Sequence, residues 1–106
     1  MAKFMIQASY TAEGLKGLQK DKASGRRAAI ASATEAMGGK LDAIYYALGD
    51  YDVIVIVDLP NIQAATAISV SVSASGLVHT KTTPLLTVEE TDQALAKSVS
   101  YRPPGR

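Results

Sequence analysis

From Lys3 to Tyr10 the chain alternates Phe4, Ile6, Ala8 and Tyr10 with Met5, Gln7 and Ser9, the two-residue period of a strand that buries one face. Thr11 to Gly14 break the alternation, and Leu15 and Leu18 allow one short amphipathic turn before Ser24 and Gly25 offer a helix start. Ala29, Ile30, Ala33 and Met37 then recur at helical spacing. Alanine adds high intrinsic propensity and Gly38-Gly39 a left-handed stop, so the pattern predicts a helix over Gly25 to Met37. Leu41 to Leu48 reads as a strand, with Leu41, Ala43, Tyr45 and Ala47 on one face and Ile44, Tyr46 and Leu48 on the other. Both faces are largely apolar. The turn formers Gly49-Asp50-Tyr51-Asp52 lead into the β-branched run Val53 to Val57, and the two strands read as a hairpin.

Pro60 and Asn61 end that run and cap a second helix, with Ala65, Ile68 and Val72 on one stripe, Ser69, Ser71 and Ser73 on its flanks and Gly76 at its close. Val78 to Leu86 predicts a fourth strand, where Pro84 marks an edge or an end. Thr87-Val88-Glu89-Glu90 matches a capping box and opens a short third helix running to Lys97. A domain over residues 1–97 and a mobile or partner-docked tail over 98–106 follow, the tail carrying Val99 and Tyr101 as its apolar residues.

The order βαββαβ plus a terminal helix predicts an α+β, ferredoxin-like fold: a four-stranded antiparallel sheet covered on one face by two helices. Two helices cover one sheet face, yet the hairpin strands are apolar on both. A bare apolar sheet is an unusually large exposed patch. The expected cover is a second copy, sheet against sheet as in dimeric α/β barrels, so the expected partner is the chain itself in a homodimer or higher oligomer.

Composition narrows the classes. The chain has 106 residues, no cysteine and one histidine, with eleven basic residues against ten acidic ones. A second domain is not expected at this length. Without cysteine there is no disulfide framework, thiolate metal site or thiol nucleophile, and the cytoplasm is the expected compartment. Met1 to Gln7 turns polar before a signal-peptide core develops, and no apolar run reaches membrane-spanning length, so no membrane partner is expected. The balanced charge calls for no nucleic acid, and the aromatic pattern of an RNA-binding sheet is missing. Gly39-Lys40 is followed by Leu41, which fails the phosphate-loop pattern, and no dinucleotide fingerprint is present; no cofactor is expected.

Three clusters stand together in the pattern: Ala8-Ser9-Tyr10-Thr11 followed by Gly14-Leu15, Gly49-Asp50-Tyr51-Asp52-Val53, and Gly76-Leu77-Val78-His79-Thr80-Lys81-Thr82. In these clusters the chain resembles the GYD-domain family over about residues 3 to 92. The resemblance implies a ferredoxin-like, dimeric α/β-barrel-like fold in small bacterial proteins whose biochemical role is not established. Asp50 stands between the hairpin glycine and Tyr51-Asp52, and His79 occupies a position that is often arginine in the family. A histidine is only partly charged at neutral pH, which weakens any anion-binding role there.

Individual residues admit a functional and a plainer reading. A single histidine excludes a multi-histidine metal site within one subunit, and no metal is expected. His79 is the candidate catalytic acid or base, against an exposed strand residue on the same side as Lys81 and Thr83. Tyr45 and Tyr46 read as core or interface, whereas Tyr10 and Tyr51 sit beside turns where a ligand role is open. Asp50 and Asp52 read as turn aspartates bonding backbone N–H groups, and Asp58 as an ion-pair partner of Lys81 or another cation. Lys16, Lys20, Lys22, Arg26 and Arg27 form a basic stretch where a helix start and two arginines suit a phosphate or carboxylate, or simply a solvated helix. The expected ligand-binding set is Tyr10, Tyr51, His79 and Lys81, between sheet and helices or at a dimer seam. The leading functional reading is a homo-oligomeric small-ligand binding or regulatory module. The alternatives are a cofactor-independent enzyme of monooxygenase or isomerase type, by fold analogy, and a purely structural assembly subunit.

Overall fold

The alternating segment and the β-branched run form the middle of the sheet. The computed structural model describes all residues, Met1–Arg106, and in it β1 (Ala2–Tyr10) pairs antiparallel with β3 (Val53–Leu59). On the far sides, β2 (Lys40–Tyr46) pairs with β3 and β4 (Val78–Leu85) with β1, both antiparallel. The strand order β2-β3-β1-β4, with one helix between β1 and β2 and another between β3 and β4, is the ferredoxin-like α+β fold.

Those helices are α1 (Ala12–Ala36) and α2 (Ile62–Ala74). The first packs on β2 and less on β1, the second on β4 and less on β3, so both lie on one sheet face, each chiefly over its own edge strand. Beneath them Phe4, Ile6, Ala8, Val53, Val55, Val57 and Leu59 are buried with Ala64 and Ala65 of α2. The two alanines let the α2 backbone come close to the strands. Ser69 and Ser73, expected on the flanks of this helix, instead reach β4: Ser69 shares a hydrogen bond of 2.6 Å with Thr82, and Ser73 one of 3.3 Å with Thr80. Serines four residues apart lie on one helical face, so they form a hydroxyl seam against alternate threonines of the strand.

Helix α1 begins at Ala12, thirteen residues before Gly25, where periodicity placed its start. Thr11 is its N-cap, accepting a hydrogen bond from the Gly14 N–H at 3.2 Å, and a cap overrides a polar, glycine-containing first turn. The helical path is broken at Lys22, whose φ of 65° and ψ of 166° separate two helical segments. At the far end the expected glycine stop is present: Gly38 has φ +79°, and the Gly38 and Gly39 N–H groups bond Glu35 and Thr34 carbonyls.

Strand β2 ends at Tyr46, short of the expected Leu48, and carries a bulge between Leu41 and Ala43. Because one extra residue inverts the side-chain alternation, the expected faces are reassigned. Leu41, Ile44 and Tyr46 lie opposite Val57, Val55 and Val53 on the helix side, while Ala43 and Tyr45 lie opposite Ile56 and Ile54 on the outer side.

After β4 the chain leaves the body. Helix α3 (Val88–Leu95) has the full capping box, with the Thr87 N–H donating to the Glu90 carboxylate and the Glu90 N–H to the Thr87 hydroxyl. Every residue from Leu86 to Arg106 is nevertheless exposed. Principal extents of 55 × 33 × 22 Å and a radius of gyration of 16.7 Å follow from this projecting arm, against about 13 Å for a compact chain of this length. No helix is long and apolar enough to cross a membrane.

Candidate functional site

The three sequence clusters converge at one end of the sheet. The Tyr10 N–H lies just past the last β1–β3 pair and needs an acceptor; the Asp52 carboxylate supplies it at 2.8 Å. The Asp52 N–H in turn donates to the Ala8 carbonyl at 2.8 Å, and the Ser9 hydroxyl donates to the Asp50 carbonyl at 2.6 Å. On the other side the Thr11 N–H and hydroxyl both donate to the Leu77 carbonyl, at 2.9 and 3.2 Å. A Cβ on Gly14 would collide with that same carbonyl. Asp52 is thus a turn aspartate that bonds backbone, as its position suggests, but the backbone it bonds belongs to another strand. Asp50 contributes its carbonyl.

This knot of hydrogen bonds holds Tyr10 at the rim of a cavity between the two helices and the sheet. The cavity has a volume of about 110 Å³ and sixteen lining residues, twelve of them hydrophobic. Ile6, Ala8, Val53, Val55 and Val57 form its floor, α1 contributes Ile30 and Arg26, and α2 contributes Ile68 and Val72. It lies over the central strands, between α1, which packs chiefly on the edge strand β2, and α2, which packs chiefly on the edge strand β4. Arg26 is its one charged lining residue, and the nearest carboxylate oxygen, on Asp21, is 3.8 Å away. Tyr46 stands beside Tyr10 at the same end, and its phenol is pushed up to about 12, first by partial burial and then by the Tyr10 hydroxyl.

The sheet divides the four expected ligand residues. Tyr10 lines the cavity on the helix side. Tyr51 is half-buried in the β2–β3 turn. His79 pairs across from Ser9 and Lys81 from Gln7, on the outer side of the sheet, where both are exposed. No surface of one chain brings all four together. Asp58 has a cation partner as expected, but it is Lys3 of the neighbouring strand, at 2.9 and 3.2 Å, rather than Lys81. Lys3 also bonds Asp42, the residue at the bulge; Lys3 holds the Asp42 carboxyl below its ordinary range, and the two aspartates raise Lys3. No three carboxylate or histidine side chains gather where they could hold a metal ion.

Arg26 belongs to this site and the expected set omitted it. The signal was present: Arg26 precedes Ala29, Ile30 and Ala33 by three, four and seven residues, which puts it on their stripe and turns Arg27 away. Tyr46 was hidden by the bulge, which moved it to the helix side.

A family model, the GYD domain, matches residues 4–95, and the chain belongs to the GYD-domain family. No curated protein and no solved structure matches the chain.

Proposed function

We propose that this GYD-domain chain is a small-ligand binding or regulatory module that works as a homodimer. The observation that carries the reading is the apolar cavity between α1, α2 and the sheet, with Tyr10 and Arg26 among its lining residues. Apolar walls with a few convergent polar groups are the usual make-up of a small-molecule site. A cysteine-free chain suits a reducing compartment, and the cytoplasm is the setting we propose.

Two uncovered surfaces support self-association. On the outer side of the sheet Met5, Ile54 and Ile56 are only half-covered, and Tyr45 is 69% exposed. On the arm, Leu86, Val88, Leu95, Val99 and Tyr101 are each at least 65% exposed. An isolated helix of eight residues is marginal in water, so α3 gains a reason to be helical once a second copy packs against it. His79 and Lys81 then lie beside the seam between two sheets, which makes them interface residues in this reading and separates them from the cavity.

The test is a thermal-shift screen of small metabolites, paired with sedimentation equilibrium. A ligand that binds the folded state raises its midpoint by mass action. Saturable hits whose amide shifts map to Val55, Ile68 and Thr80 support the module, and turnover of a hit would favour an enzyme instead. A chain that stays monomeric at micromolar concentration and yields no hit is left with neither half of the proposal.

A further inference from the structure

The polar groups around the cavity differ in what they have left to offer. Thr34 donates its hydroxyl to the Ile30 carbonyl at 2.7 Å, Ser69 is bonded to Thr82, and Thr80 to Ser73. These hydroxyls are engaged within the fold. Arg26 is different: no hydrogen bond within the chain engages its guanidinium, and Asp21 at 3.8 Å lies outside hydrogen-bond distance. It is two-thirds buried at the side chain, against apolar walls. Such a site holds a fork of N–H donors that no acceptor of the chain engages and a positive charge whose ion-pair partner, Asp21, stands off at 3.8 Å and is itself half-exposed.

We infer that the cavity takes a small monocarboxylate, its head on the Arg26 guanidinium and Tyr10 and its apolar body among Ile6, Val55 and Ile68. This rests on the reading of the chain as a ligand-binding module and names the class of ligand. A planar guanidinium matches a carboxylate in bidentate geometry, and the pair is screened less at a partly buried site than on open surface. The body is small, because a cavity of about 150 Å³ accommodates benzene and this one is smaller and open at its mouth. The charge is single: Arg26 is the one charged lining residue, whereas Lys20, Lys22 and Arg27 are exposed and none of them lines the cavity. A dianionic phosphate ester would leave one charge unbalanced against apolar walls. Tyr46 does not oppose the head, since its phenol stays protonated at neutral pH.

The experiment compares butyrate, 1-butanol and propyl phosphate, three probes with one propyl body and different heads, by calorimetric titration with amide-shift mapping on the full chain. Butyrate is expected to bind more tightly than the alcohol and the phosphate. Arg26→Gln is expected to weaken butyrate by about tenfold or more while moving the alcohol less than about twofold, and Arg26→Lys to recover part of the loss. Equal binding of acid and alcohol, or an unchanged acid affinity in Arg26→Gln, overturns the carboxylate assignment and leaves the module standing. Tighter binding of propyl phosphate overturns the single charge. If no probe shifts cavity amides, the module reading itself fails. Should Arg26→Gln not fold, the wild-type ranking of the three probes and the Arg26→Lys affinity still decide.

Discussion

The two faces of this sheet are built from the same strands and have different fates. In β3 the helix side carries Val53, Val55, Val57 and Leu59, all at or below 4% exposure, while the outer side carries Ile54, Ile56 and Asp58, all half-covered. Strand type does not distinguish them, since valine and isoleucine favour a pleated sheet alike. What distinguishes them is the layer above. The bulkier isoleucines lie on the side with no helix, where leaving them in water forfeits more than leaving valines there. In the proposed reading the open apolar face receives a second copy, and the gap between the two helices holds a small ligand.

The largest effect that tests this contrast is on the helix side. Leu59 is fully buried, so Leu59→Ala is expected to lose about 2–5 kcal/mol of unfolding free energy in urea titrations. The matching change on the outer side, Ile56→Lys, is expected to leave the monomer folded by circular dichroism and to weaken self-association by about thirtyfold or more in sedimentation equilibrium. If Ile56→Lys instead unfolds the chain while Leu59→Ala does not, the assignment of the two faces is wrong.

A smaller effect belongs to the knot where the faces meet. Asp52→Ala deprives the Tyr10 N–H of its acceptor and is expected to cost about 1–3 kcal/mol, with weaker ligand retention because Tyr10 lines the cavity. The adjacent Tyr46 gives a pH signature of the helix side. Its folded value is raised to about 12 from 10.0, so its contribution is complete below pH 10 and disappears as pH rises from about 10 towards about 12. Ultraviolet titration of the folded chain is expected to show a late-ionising tyrosine that Tyr46→Phe removes.

The smallest effect is expected at the Lys3–Asp42–Asp58 cluster, on the solvent side. Asp42 is depressed by Lys3, so its stabilisation is present above the ordinary carboxylate range and lost as pH falls through the lowered folded value. Asp42→Asn should flatten the acid limb of the stability curve and move the midpoint at pH 7 by no more than about 2 °C, as an exposed ion pair does.

Periodicity exposed the strands, the hairpin, α2 and the capping box of α3, because each is encoded within a few residues. The clusters that resemble the GYD family were legible too, and their hydrogen bonds give a physical reason for the side chains of Ser9, Thr11 and Asp52. Three features were not legible, each for its own reason. The bulge at Leu41–Ala43 is marked only by Asp42, a single polar residue that alternation accommodates equally well on a solvent-facing side, so the inversion that sends Tyr46 inwards does not show in the pattern. Thr11 reads as a loop residue until its side chain is seen to cap Gly14. The cavity is a spacing between two helices that touch different strands, a quantity fixed by packing and absent from any one segment. Hence Tyr10 was singled out apart from Arg26, which lines the same cavity, and His79 and Lys81 were grouped with it although the sheet lies between.

The projecting arm also governs how the protein moves through solvent. A chain of 11.1 kDa with a 55 Å long axis drags more water than a sphere of its mass, so a lone copy elutes early from a gel-filtration column and mimics something heavier. A pair with both arms folded in is rounder for its mass and elutes later than two extended copies would suggest. Elution volume therefore draws the two states together, and a mass measurement such as light scattering or native mass spectrometry pulls them apart.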